Sequence, residues 1–289
     1  MLQPPPTPNA CGLGVGPERA LHQAFLPLQE YSRSHVWKFS LEYGGRRPLH
    51  FHAEPELNLV AAGTATFRVG ESVVTANRGD LLAFPPGQEH ALLETSPDVY
   101  LFAIGAHPDF SSQVLRSESA SVALPFQIRL APTDFEALRT RCAMAVDRAN
   151  VDPSIAELWE HAHWLRHRYI GRHNPMHVFT RRVLALVSEH PDLACERIAQ
   201  AARANLCEAS RYFHRDVGLT LVKYRARLRL LRYISLVDRG NCNLMESAKA
   251  AGFGSYSQCH RVFQAELGCS PRQYFQVGLR EQMQAAYLP

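Results

Sequence analysis

The chain has no C-x-x-C pair and no compact, even set of cysteines. Its seven cysteines, at positions 11, 142, 195, 207, 242, 259 and 269, are scattered and odd in number, which argues against a disulfide framework and a thiolate zinc site and suits a reducing compartment. No run approaches the roughly 20 uninterrupted apolar residues of a membrane span, so no membrane partner is expected. The opening MLQPPPTPNA has neither a basic n-region nor an apolar h-region, and the expectation is an unexported, cytoplasmic protein. Charged residues make up only 20% of the chain, against 46% hydrophobic and 9% aromatic, which excludes wholesale disorder, coiled coil and collagen. The 289 residues fit one large or two ordinary domains, at about 150 residues each.

The net charge of +4 is unevenly spread. Residues 1–175 carry a net −3 and residues 176–289 a net +7. A basic segment behind a mildly acidic one suggests a nucleic-acid-binding module attached to a part with another task.

Residues 1–30 read as an N-terminal arm, whose opening Leu2 to Asn9, with Pro4, Pro5, Pro6 and Pro8, is too polar and too rich in proline for a helix or strand. From about His35 the period changes to two. VWKFSLEY, ELNLVAAG, TATFRVG, SVVTAN, DLLAFP and DVYLFAIG, followed by PFQIRL near Pro125, are short β-type runs separated by turn residues, the pattern of an antiparallel barrel or sandwich over residues 31–125. A helical connector then covers 126–174. Thr133 and Glu136 have capping-box spacing, and a second helix starts after Asp152-Pro153 with Ile155, Leu158, Ala162, Leu165 and Tyr169 on one side. Everything from 175 to 289 reads helical.

Within the β region two spaced motifs stand out. The first runs Gly44, His50-x-His52, Glu56, Gly63; the second runs Gly79, Pro85-x-Gly87, His90. On a strand, His50 and His52 face the same side, and Glu56 joins them across a bend. With His90 this gives three imidazoles and one carboxylate, a set suited to Zn, Fe, Mn, Ni or Cu. The same four residues serve equally as the polar lining of a pocket for an organic effector. The spacing resembles the two motifs of the cupin family, with Glu94 where that family often has Asn, and the resemblance implies a small β-barrel or jelly roll.

The last hundred residues contain an internal repeat. ERIAQAARANLCEASRYFHRDVGLTLVKY (196–224) and ESAKAAGFGSYSQCHRVFQAELGCSPRQY (246–274) align without gaps, each reading as a small-residue helix, a turn, a second helix and a closing glycine, that is, two helix-turn-helix units. Ala199, Ala201 and Ala202, and again Ala248, Ala250 and Ala251, let one helix cross closely over the next. Asn205 and Ser255 are N-cap residue types, and Gly218 and Gly268 are stops. Residues 221–240 form one long joining helix. Its Arg225, Arg227, Arg229 and Arg232 read as phosphate contacts or a solvated face.

Gly218-x-Thr220-x-x-x-Tyr224, Ala248-x-x-x-Gly252-Phe253, Arg261-x-Phe263, Gly268, Ser270-Pro271 and Tyr274 resemble the AraC/XylS family of bacterial transcription regulators. Against that family's pattern, Arg203 replaces a turn glycine, Ala209 a large apolar residue, Cys259 an aromatic and Ser247 a β-branched residue or leucine. The resemblance implies that Leu206, Cys207, Ser210 and Arg211 of the first unit and Tyr256, Ser257, His260 and Arg261 of the second face the major groove. It also implies a double-stranded DNA operator, a small-molecule effector, a homodimer and RNA polymerase as partners. The whole reads as an α+β multidomain chain, with a cupin-like barrel, a helical connector and an all-α domain of two helix-turn-helix units.

His161, His163, His167 and His173 crowd the connector. His163 and His167 share a helical face, but no H-E-x-x-H pattern accompanies them, and the apolar side of this helix is expected to form the dimer interface. The function expected is a transcription regulator without enzymatic activity whose barrel senses a small molecule. The alternative is a metal-dependent cupin enzyme fused to a DNA-binding tail.

Overall fold

The computed structural model describes residues 21–22, 34–40, 47–107, 126–147, 154–173, 177–240 and 243–276. Most of the proline-rich arm, Arg46, Cys11 and Cys242 lie outside them, as does the side chain of His167.

Among the described residues ten strands form two five-stranded sheets. The first has the order β1 (Leu21–His22), β3 (Arg47–Phe51), β8 (His90–Thr95), β5 (Thr64–Val69) and β6 (Ser72–Asn77). The second has β10 (Phe126–Arg129), β7 (Asp80–Phe84), β4 (Glu56–Ala62), β9 (Tyr100–Ala106) and β2 (Ser34–Ser40). All pairings are antiparallel except β1 with β3. The sheets face each other across Phe39, Val60, Phe67, Leu82, Phe84, Leu92 and Leu101, as expected where alternate residues of facing strands fill a sandwich or barrel.

The second sheet is apolar on its outer face as well, which is why β4 is buried along almost its whole length. Leu57, Leu59, Leu81, Phe102 and Ile104 pack there against α1 (Pro132–Asp147) and α2 (Ser154–His173) through Phe135, Leu138, Leu158, Trp159, Ala162 and Leu165. Two expectations change here. The apolar side of α2 is spent on this sheet, so it is not free to make a dimer; among the described side chains, Trp164 and Met144 are the large apolar ones that the pair leaves exposed. The first helix starts at Pro132, not after a Thr133 cap. Proline suits the first helical position because it lacks an N–H to satisfy, and the Ala131 N–H is taken by the Tyr169 hydroxyl at 2.8 Å.

The C-terminal half comprises α3 (Val178–Glu189), α4 (Cys195–Ala201), α5 (Leu206–Val217), α6 (Leu221–Asp238), α7 (Leu244–Ala250), α8 (Tyr256–Leu267) and α9 (Pro271–Tyr274). It has two cores. One gathers Val183, Leu184, Ile198, Ala202, Phe213 and Tyr224; the other gathers Leu230, Tyr233, Ala248, Ala251, Phe253, Phe263 and Tyr274. Asn205 and Ser255 cap α5 and α8 by accepting from the Glu208 and Gln258 amides, and Gly218 and Gly268 end them in the left-handed conformation.

The repeat is not gapless. The helices α4 and α7 start 49 positions apart, at Cys195 and Leu244, whereas α5 and α8 start 50 apart, at Leu206 and Tyr256. Gly254 is the extra residue, and it places Gly252, not Phe253, opposite Arg203.

The arginines of α6 also part company with expectation. Arg227 and Arg229 are buried. Arg229 donates to the Pro191 and Asp192 carbonyls at 2.6 and 2.8 Å, and Arg227 donates to Glu89 and Glu266 at 2.5 and 2.7 Å. Neither faces solvent, because each satisfies acceptors that would otherwise be buried unpaired. Arg232 is exposed and Arg225 half-buried.

Candidate functional site

His50, His52, Glu56 and His90 are all buried, and the structure brings them together. His50 lies opposite His90 in the β3–β8 register, and His52 follows two residues on. Glu56 opens β4 on the facing sheet. A backbone bond from the Gly87 amide to the His52 carbonyl, 2.9 Å, ties the two motifs to each other. The ring centroids of His90 stand 4.3 Å from His50 and 5.1 Å from His52, and Phe84 stacks on the far face of His90 at 4.2 Å.

The ring nitrogens are sorted by their backbone partners. Nδ1 of His50, His52 and His90 lies 2.7, 2.7 and 3.0 Å from the carbonyls of Pro48, Glu54 and Gln88. A carbonyl only accepts, so each Nδ1 carries the proton and each Nε2 is left to the interior. This is the arrangement that orients imidazoles as ligands. Ligand atoms of the three histidines lie within 4.8 Å of one another. Glu56 Oε2 stands 3.0 Å from His52 Nε2 and 3.5 Å from His90 Nε2.

Burial opposes ionisation of Glu56, yet its hydrogen bonds to His52 and His90 hold the carboxyl well below the usual range. For His52 burial is likewise outweighed, by the Glu56 carboxylate, and its pKa is raised. His50 goes the other way: burial first, then the neighbouring His90 and His52, push it well below the ordinary value. Glu56 thus favours the charged form of His52, whereas burial favours the neutral form of His50. The three histidines lie close enough together to hold a divalent cation, and Glu56, beside His52 and His90, is the carboxylate nearest to them; a cation held by His52 would displace the proton that it shares with Glu56.

Sequence reading missed two supporting residues. Asn58 donates to Glu56 Oε1 at 2.6 Å and fixes the carboxylate; its signal was its place two residues after Glu56, on the same face of one strand. Gln88 is buried, with Oε1 lacking a partner among the described residues. A cavity of about 180 Å³ lies nearby, lined by Val69, Val74, Leu82 and Phe84 of the barrel and by Asp216 and Val217 of α5. None of the four cluster residues lines it, although Phe84 separates it from His90.

In the helical half, Leu206, Cys207 and Arg211 are exposed and Ser210 half-buried on the N-terminal part of α5; on α8, Ser257 and Arg261 are exposed and Tyr256 and His260 half-buried. The eight residues thus start their helices on the solvent side, where the helix N-termini also favour phosphate. Tyr256 is the least available, since it packs partly on the second core. Arg211 and Arg215 both lie 5.0 Å from the Tyr212 ring, which itself stacks on His177 at 3.6 Å.

A family profile described as a helix-turn-helix domain matches residues 198–276, and one described as a cupin domain matches residues 37–104. The chain carries the AraC-type helix-turn-helix domain of a transcription regulator behind a cupin domain. Its cupin-like sensing domain and its paired DNA-binding units match the two profiles in order. The melibiose operon regulatory protein of Escherichia coli (strain K12) is 21% identical over 253 residues, 78% of this chain and 82% of the relative. An uncharacterized HTH-type transcriptional regulator, YdeC, of Bacillus subtilis (strain 168) is 22% identical over 254 residues, covering 80% and 86%. Among solved structures, ToxT from Vibrio cholerae aligns over 85% of this chain and 98% of its own with 14% identity and a TM-score of 0.44. No helix among the described residues is long and apolar enough to cross a membrane.

Proposed function

We propose that this AraC/XylS-type regulator senses its effector at the His50–His52–Glu56–His90 cluster and reports occupancy to the two recognition helices. The observation that carries this is the convergence of three buried, backbone-oriented histidines, two of which have the Glu56 carboxylate beside them. The cluster takes either a small polar or anionic effector directly or a divalent metal held by the same four residues, which would supply a Lewis-acidic anchor for that effector. The regulators among its relatives favour the sensor reading over an enzyme.

On the DNA side, Leu206, Cys207, Ser210 and Arg211 read one stretch of major groove and Tyr256, Ser257, His260 and Arg261 the next, about 34 Å along the duplex. Arg211 and Arg261 are best suited to bidentate guanine contacts. A cytoplasmic homodimer, joined through the exposed Trp164 and Met144 side of α1 and α2, would cover two such sites and present them to RNA polymerase. In this division residues 1–30 are an arm, of which Leu21–His22 joins the edge of the first sheet, 31–125 the sensor, 126–174 the connector, of which Phe126–Arg129 completes the second sheet, and 175–289 the DNA-binding domain.

Protein purified without a histidine tag tests the reading by metal analysis and a thermal-shift screen of metals and small organic acids. Stoichiometric metal, or a rise in Tm that His90→Ala abolishes, is the expected result. Neither metal nor any cluster-dependent shift would overturn it, and turnover of a bound acid would move the protein to the enzyme reading.

A further inference from the structure

The β3 and β8 segments that bring in the three histidines also carry, on their other side, the contacts that hold the DNA-binding half to the barrel. Between His50 and His52, which face the interior, Phe51 points outward. It is fully buried, and its ring belongs to the second core, among Leu230, Tyr233, Phe253 and Phe263. Next to His90, Glu89 also points outward. Its carboxylate receives Arg227 Nη2 at 2.5 Å and stands 3.6 Å from Lys223 Nζ, both on α6.

Arg227 is 1% exposed and fully engaged. Its Nε donates to Glu266 of α8, and its guanidinium lies 4.6 Å from the Phe51 ring centroid. One arginine therefore joins the strand of the cluster, the helix between the two units, and the second recognition helix. A second fastening holds the first unit. Gly70, in the β5–β6 turn, approaches Gly218 at the end of α5 so closely that a Cβ on it would stand 2.9 Å from the Gly218 carbonyl oxygen, and His214 faces Glu71 at 3.3 Å. Both units are thus docked on the same sheet, and β1, at its edge, runs beside α8.

We propose that Glu89–Arg227 is an interdomain latch: docked, it restrains the two recognition helices on the barrel and lowers their affinity for DNA, and movement of β3 and β8 at the histidine cluster releases it. Two physical arguments set the sign. A unit fixed to the barrel cannot adjust to its groove, whereas units joined only by α6 can. The barrel carboxylates Glu71 and Glu89 also lie against a half that carries +7, and they weaken its attraction for phosphate while they stay docked. Strand alternation supplies the connection, because a backbone shift that moves an inward histidine also moves its outward neighbour. The inference rests on the sensor reading only for the origin of the signal. A pocket that takes no ligand would leave the DNA and exchange results below unchanged, so the two ideas fail separately.

The test uses the full chain and a duplex that it selects from a random DNA pool. Glu89→Gln removes the latch charge while keeping the shape; Glu136→Gln, on α1 in exposed ion pairs with Arg78 and Arg139, removes the same charge elsewhere. The expected result is at least tenfold tighter binding for Glu89→Gln at fixed salt and a change within twofold for Glu136→Gln. Coupling is reciprocal, so adding the duplex to wild type must speed hydrogen exchange at amides 50–52 and 87–91, and in Glu89→Gln these amides must exchange fast without DNA. Should Glu89→Gln fold poorly, Lys223→Gln weakens the same carboxylate more gently, and the exchange experiment on wild type needs no variant. Binding by Glu89→Gln within twofold of wild type, or exchange at those amides untouched by DNA, overturns the latch.

Discussion

Arg203 and Gly252 occupy the same place in the two helix-turn-helix turns, and both have positive φ, 57° and 92°. Their amides close equivalent bonds, Arg203 to the Gln200 carbonyl and Gly252 to that of Lys249. Arg203 is the one non-glycine residue with positive φ among the described residues. The left-handed conformation costs an L-residue roughly 1–2 kcal/mol, and glycine gives back part of that gain through its freer unfolded chain, about 0.5–1 kcal/mol. Arg203→Gly is therefore expected to stabilise the protein by about 0.5–1 kcal/mol in urea unfolding. A loss of stability would show that the Arg203 side chain makes a compensating contact.

The second unit has its own weak point. Ser247 is completely buried at the place where α4 has Ile198, and its hydroxyl has no partner among the described residues. A buried hydroxyl left unpaired costs about 1–3 kcal/mol, and alanine also favours the helix. Ser247→Ala should raise the unfolding midpoint with unchanged m-value, corresponding to a gain of about 1 kcal/mol. An unchanged or lower midpoint would place an unseen acceptor beside the hydroxyl.

Phe51 links the halves in a way that unfolding can detect. Although it belongs to the barrel strand β3, it is packed in the core of the second helix-turn-helix unit. Deleting a buried phenylalanine side chain costs about 3–5 kcal/mol. In Phe51→Ala the loss should appear as faster hydrogen exchange in α7 and α8, with the sheet β10-β7-β4-β9-β2 much less affected. Faster exchange confined to the barrel would contradict the packing described.

How much of this was legible beforehand depends on the range of the contact. His50, His52 and Glu56 lie within seven residues, and strand periodicity alone puts the histidines on one face, so the cluster could be read. The strand β8 was not, since HALLET is short and its apolar residues Ala91, Leu92 and Leu93 do not alternate. The helices α5 and α8 were placed by their caps, which are local. The burial of Arg227 could not be foreseen, because Arg225, Arg227, Arg229 and Arg232 form a regular basic pattern along α6. What singles out Arg227 is a carboxylate 138 positions away. Nor did the repeat disclose its extra Gly254, because the matching residues Phe213, Gly218 and Tyr224 all lie after the turn, where the offset is constant.

Arg211 and Arg261 allow the orientation of the DNA-binding half to be tested without knowing the effector. Both are exposed near the starts of α5 and α8, one in each unit. If they read guanines, each alanine substitution should cost about 1–3 kcal/mol against the preferred sequence, roughly fivefold to 150-fold, and relax the preference at one base pair. If they contact phosphates, binding should weaken evenly across sequences and the salt slope should fall by about one unit per residue. Because the units contact separate grooves, the effects of Arg211→Ala and Arg261→Ala should add within about 0.5 kcal/mol. Gel-shift titrations at two fixed salt concentrations distinguish these cases. A double variant that binds as tightly as wild type at both would mean that α5 and α8 do not enter the grooves by their N-terminal ends.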